Sequence, residues 1–119
     1  MAGRSARSRL DPVVVDFARR LAGALRLERL ILFGSRARGD HLLTSDYDFI
    51  IVSPDFEGQP FVQRGLALYD LWEGDAEFDA LCYTPAEFER KRRQLGIVQS
   101  AVNEGIEVEL DRGQRHNRP

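Results

Sequence analysis

The chain has 119 residues, of which 43% are hydrophobic and one is cysteine, Cys82. This size fits a single domain that buries roughly two-thirds of the surface its unfolded chain exposes; an intramolecular disulfide is excluded, and no apolar run approaches the roughly 20 residues of a membrane-spanning helix, so the expected setting is the cytoplasm with no membrane partner. The net charge of −2 hides an asymmetry: removing six tail arginines (Arg4, Arg7, Arg9, Arg112, Arg115 and Arg118) from 17 basic residues leaves 11 against 19 acidic ones, a net −8 over the body, which disfavours a nucleic-acid partner because such binding needs clustered cations.

The elements follow in chain order. Residues 1–10 read as a solvated basic tail; an amphipathic pattern rather than the apolar stretch of a signal peptide follows them. Asp11-Pro12 is a capping residue followed by proline, and Val14, Phe17, Leu21 and Leu25 recur at helical spacing, which predicts a first amphipathic helix. Leu30 to Phe33 is a short buried strand ending at Gly34. Gly34-Ser35 opens a short helical turn through Arg38, which Gly39 ends. Asp46 to Val52 is a second strand, apolar on both faces after its acids, so both strands are expected to be central.

Pro54 to Pro60 reads as a surface loop, and Phe61, Leu68 and Trp72 begin a second helical stripe that stops at Gly74. Glu77 to Tyr83 is a third strand. Thr84-Pro85-Ala86-Glu87 has the form of a capping box at the head of a charged helix running to about Leu95-Gly96. A further helical segment carries Val98 and Val102 to Gly105, and Ile106 to Leu110 alternates as a half-solvated edge strand. The expected architecture is α/β: a mixed sheet of about four strands with helices packed mainly on one face. Residues 11–111 form the domain, and 112–119 are a second basic tail.

Asp46 and Asp48 are the candidate chemistry. Side chains two apart on a strand share a face, so both carboxylates project from one strand end. At roughly 4 Å their repulsion is about 4 kcal/mol at an effective dielectric near 20, which calls for a cation. For hard oxygen ligands that cation is Mg²⁺, which takes one or two carboxylates together with substrate phosphates. The eleven positions from Ser35 to Asp46 suffice for a short helix and a reversal, bringing a phosphate-binding turn beside the acids. A Gly-Ser turn or an Asp-x-Asp pair alone is commonplace; their combination points to phosphoryl-type chemistry on a nucleotide.

The run Leu32-Phe33-Gly34-Ser35-Arg36-Ala37-Arg38-Gly39-Asp40, followed by Thr44-Ser45-Asp46-Tyr47-Asp48-Phe49-Ile50-Ile51-Val52, resembles the minimal nucleotidyltransferases of the polymerase-β-like superfamily. That family carries Gly-Ser, an Ala-Arg-Gly turn and a Ser-Asp-x-Asp strand at this spacing. The resemblance covers nearly the whole chain, with His41 and Phe49 as departures that remove no ligand. It implies two Mg²⁺ ions held by Asp46 and Asp48, with Asp79 as the third catalytic and metal-binding carboxylate. Glu77 has the same strand parity and is the competitor. Gly34, Ser35 and neighbouring amides would hold the β and γ phosphates of ATP. Arg36 and Arg38 would either neutralise phosphate charge or pair with acids such as Asp40.

The remaining candidates have plainer readings. His41 is a loop residue without metal-ligand neighbours, and His116 belongs to the basic tail. Phe33, Trp72 and Tyr83 read as core aromatics, and Cys82 as a small buried side chain. The resemblance further implies transfer of AMP from ATP to an acceptor hydroxyl. A short chain without an acceptor-binding domain favours a protein acceptor. In such small proteins that partner is a HEPN-type toxin modified on a tyrosine. Two alternatives stand beside this antitoxin reading: transfer to a small molecule, with an acceptor pocket formed in an oligomer, and a non-catalytic antitoxin that masks its toxin by contact.

Overall fold

The computed structural model describes residues 10–40 and 46–110. The expectations for the basic tails, Asp111, His41, Thr44, Ser45 and His116 lie outside these residues. Helix α1 (Pro12–Ala24) begins at Asp11-Pro12 and buries Val14, Phe17, Ala18 and Leu21, the predicted stripe. Asp11 occupies the N-cap position, yet its carboxylate caps nothing. It accepts the Tyr47 hydroxyl at 2.5 Å instead.

The described residues form a four-stranded sheet in the order β3-β2-β1-β4. Its members are β1 (Arg29–Phe33), β2 (Tyr47–Val52), β3 (Phe78–Tyr83) and β4 (Ile106–Glu107). Strand β1 runs antiparallel to both β2 and β4, and β2 runs parallel to β3. The expected mixed sheet with two central strands is present. The last strand is shorter than expected, although the Val108 amide still donates to Leu30 O at 2.8 Å and Val108 stays buried.

One expectation is corrected: helices cover both faces. On the first face Leu30, Leu32, Tyr47, Phe49, Ile51, Phe78 and Cys82 pack with Val14, Phe17 and Leu21 of α1. The Phe17 ring lies 5.2 Å from Phe49, 5.1 Å from Trp72 and 5.0 Å from Phe78. On the second face Ile31, Ile50, Val52 and Tyr83 meet Phe88 of α3 (Pro85–Arg92) and Val98 and Ala101 of α4 (Ile97–Glu104). The reason is the run Phe49-Ile50-Ile51-Val52, which sends large apolar side chains to both sides. Burying each contributes about 1.5–3 kcal/mol, so neither face stays wet.

The segment after β2 is a second correction. Where a helical stripe was expected from Phe61 to Trp72, the chain makes short 3₁₀ turns at Phe61–Gln63 and Leu66–Leu71, and the expected loop before it holds another at Pro54–Phe56. Pro54, Gly58, Pro60 and Gly65 interrupt any longer helix. Among the described residues no helix is long and apolar enough to cross a membrane.

Candidate functional site

Three strand ends meet at one edge of the sheet, for a topological reason. Strand β1 leads into the edge and ends opposite Asp48, since Phe33 pairs with that residue. Strand β2 leaves the same edge, and so does its parallel neighbour β3, which sets Asp79 in direct register with Asp48. Neighbouring strands lie roughly 4.8 Å apart and in-register side chains share a face, so these carboxylates are side by side. Asp46 immediately precedes β2 and has the parity of Asp48. The ladder continues below it, with the Tyr47 amide donating to Glu77 O at 3.0 Å.

The turn between β1 and β2 is shaped by two glycines. Gly34 has φ +79°, and Gly39, with φ +87°, closes the one-turn helix α2 (Ser35–Arg38) by donating its amide to Ser35 O at 2.9 Å. A side chain at Gly34 would meet more than backbone strain. Its Cβ would lie 2.6 Å from Oδ2 of Asp48. Glycine therefore lets the turn press directly on the carboxylate.

Electrostatics distinguish Asp48 from an ordinary surface acid. Partial burial pushes its carboxyl above the usual aspartate range, and the charges of Asp79 and Asp46 push it further the same way. A divalent cation would reverse both effects. Among the described residues, no three acidic, cysteine or histidine side chains are grouped so that they could hold a metal ion by themselves. A set of hard oxygen donors that is open in this way suits Mg²⁺, which keeps water and phosphate ligands of its own.

The other candidate residues divide by location. Asp79 adjoins Asp48 in the sheet, whereas Glu77 precedes β3 and is not among the acids acting on Asp48. Arg38 pairs with Asp40 at 3.2 Å on the surface. Arg36 takes the acid-facing alternative: its guanidinium lies 4.2 Å over the Tyr47 ring and 3.8 Å from Asp11. Tyr47 points to the α1 face, opposite Asp48, so this cation sits behind the strand rather than beside the carboxylates. Cys82 is buried, which pushes its thiol up to about 12 and leaves it inert. Trp72 and Tyr83 belong to the packed body; the Trp72 indole donates to Ala76 O at 2.7 Å.

Sequence reasoning gave no site role to Asp11 or Tyr47. Strand parity placed Tyr47 opposite the acids, but its partner lies 36 positions away and no local signal announces it. Arg64 was also missed. It is a buried arginine that donates to Cys82 O at 3.1 Å and pairs with Glu87 at 2.6 Å at the far end of the sheet.

Comparison with known proteins agrees with this geometry. The family model described as "Nucleotidyltransferase domain" matches residues 14–112, a span containing Gly34, Ser35, Arg36, Arg38, Asp46, Asp48 and Asp79. A solved structure, described as a "putative nucleotidyltransferase" from Sulfolobus solfataricus, superposes with a TM-score of 0.54 at 24% identity, covering 76% of this chain and 80% of that one. At that identity the likeness establishes a shared fold. No significant match occurs among curated proteins. With the family model spanning most of the chain, and the glycine turn and paired strand-end carboxylates at one sheet edge, this chain belongs to the nucleotidyltransferase domain family.

Proposed function

We propose that this chain moves AMP from ATP onto a hydroxyl of a protein acceptor, as a minimal nucleotidyltransferase whose partner is a HEPN-type toxin modified on tyrosine. The carrying observation is the in-register pair Asp48 and Asp79, with Asp46 two positions upstream and Gly34 pressed against Asp48. In this reading residues 11–111 are the catalytic domain, the basic tails lie outside it, and the setting is the cytoplasm. The protein partner is carried by the family resemblance of the Gly34–Asp48 run.

Asp46, Asp48 and Asp79 would hold two Mg²⁺ ions. Once bound, these would activate the attacking oxygen and neutralise charge on the departing pyrophosphate. The residues themselves divide the remaining work. Gly34 and Ser35 hold the β and γ phosphates through backbone amides and the serine hydroxyl, with Arg38 close by in the same turn. Asp79, exposed on its edge strand, takes the acceptor's proton. The acceptor oxygen bonds to the α phosphorus as the bond to pyrophosphate breaks. Pyrophosphate leaves, and AMP stays on the acceptor.

The test incubates the full chain with Mg²⁺, labelled ATP and a HEPN-type protein, and follows intact mass. A gain of AMP on a tyrosine peptide, lost in Asp46→Asn, is the expected result. Pyrophosphate release without a protein adduct would move the acceptor to a small molecule. Silencing of the toxin with neither adduct nor pyrophosphate would leave a contact-only antitoxin.

A further inference from the structure

The reaction above makes no use of a built polar cluster behind β2. The side chain of Arg36 is only 7% exposed, and Tyr47 is 6% exposed. The guanidinium lies over the Tyr47 ring, the Tyr47 hydroxyl donates to Asp11, and Asp11 stands opposite the guanidinium. Removing an arginine from water is costly unless its charge is met, so this arrangement is specific rather than incidental. It ties together the head of α1, the α2 turn and the start of β2.

The location gives the cluster its meaning. Tyr47 lies between Asp46 and Asp48 in the chain and points to the other face. Gly34, two positions before Arg36, presses on Asp48 from the front. The turn therefore grips β2 at successive residues from both sides. We infer that Asp11, Arg36 and Tyr47 are positioning residues that fix the Gly34-Ser35 turn over Asp46 and Asp48, with Arg36 serving as a structural cation rather than a phosphate ligand. This rests on reading that edge as the nucleotide site. The geometry matters because a displacement of about 1 Å can cost on the order of a hundredfold in rate. Lysine does not substitute, since it lacks the planar face that stacks on tyrosine.

The test compares the full chain with Tyr47→Phe, Arg36→Lys and Asp11→Ala, using two measurements. One is amide hydrogen exchange over residues 34–39. The other is calorimetric affinity for a nonhydrolysable ATP analogue with Mg²⁺. In each variant, exchange in the turn should rise roughly tenfold while α3 and α4 keep their protection. Analogue affinity should fall by about 3- to 10-fold, and Tyr47→Phe combined with Asp11→Ala should be little worse than Asp11→Ala alone, because Asp11→Ala already removes the bond that Tyr47→Phe loses.

Unchanged exchange in the near-isosteric Tyr47→Phe would overturn the inference. So would an Arg36→Lys variant that loses the analogue while its turn stays protected and Tyr47→Phe binds normally, because Arg36 would then be a direct ligand. If the unaltered protein fails to bind the analogue, the nucleotide reading of the edge falls. The exchange comparison still decides whether the cluster holds the turn.

Discussion

The two ends of the parallel pair β2 and β3 carry opposite electrostatic designs. At the leading end Asp46, Asp48 and Asp79 bring like charges together, and Asp48 is pushed up by burial and by both neighbours. At the trailing end Arg64 forks onto Glu87, with Nη1 to Oε1 at 2.6 Å and Nη2 to Oε2 at 3.2 Å. Thr84 and Glu87 exchange capping bonds there at 2.9 and 3.2 Å. The Arg64 pair, reinforced by the Thr84 amide, holds Glu87 down at about 2. One end spends stability to gather charge, and the other is neutralised and hydrogen-bonded. A single strand pair can therefore carry both because its ends are separated by an apolar middle, Phe49 to Val52, that is fully buried.

The largest test of that contrast is Asp48→Asn. Nucleotidyl transfer should fall by roughly a thousandfold or more if Asp48 holds metal as proposed. Its melting temperature should stay level or rise, because the substitution removes a raised, repelled carboxylate. A protein that loses both activity and stability would contradict the contrast. At the other end, Arg64→Met should destabilise by about 2–3 kcal/mol in urea unfolding, since Glu87 and the Cys82 carbonyl lose their partner. An unchanged unfolding midpoint would show that the Arg64 pair contributes nothing net.

Gly34→Ala sharpens the comparison at the active edge. Forcing an L side chain to positive φ costs about 1–2 kcal/mol, and the new Cβ must also displace the Asp48 carboxylate. Stability and Mg²⁺-dependent nucleotide binding should fall together, in contrast to Asp48→Asn. The smallest effect is on acid unfolding. Glu87 is depressed from an ordinary 4.5 to about 2, so its contribution is complete above 4.5 and disappears as the pH falls toward 2. Asp48, being raised, has the opposite sign and gains stability as the pH falls through its folded value. Melting curves across that range should therefore flatten in Glu87→Gln and steepen in Asp48→Asn.

Much of the local structure was legible in the residues. The Asp11-Pro12 start of α1, the capping box of Thr84 and Glu87, and the glycine-bounded turn from Ser35 to Arg38 are signals spread over a few positions, and each element formed where they stand. The alternation of Asp46, Tyr47 and Asp48 also fixed which side chains share a face. Legibility failed where the outcome depended on distant neighbours. The stripe from Phe61 to Trp72 has helical spacing, but it broke into 3₁₀ turns that leave Phe61, Val62, Leu66 and Tyr69 exposed. For the arginines, the sequence left phosphate binding and acid pairing open. Arg38 pairs with nearby Asp40, whereas the acid facing Arg36 is Asp11, 25 positions upstream.

The sequence by itself determined the α/β class, the strand parities and the juxtaposition of a glycine-serine turn with an Asp-x-Asp strand, because backbone periodicity and turn chemistry act over a few residues. Only the tertiary structure decided that both sheet faces are covered, that Asp79 lies abreast of Asp48, and that Asp11 holds Tyr47 and Arg36 behind the strand. Those outcomes depend on which strands become neighbours and in what register. That is settled by burying the whole apolar surface at once, and no short window of sequence contains it.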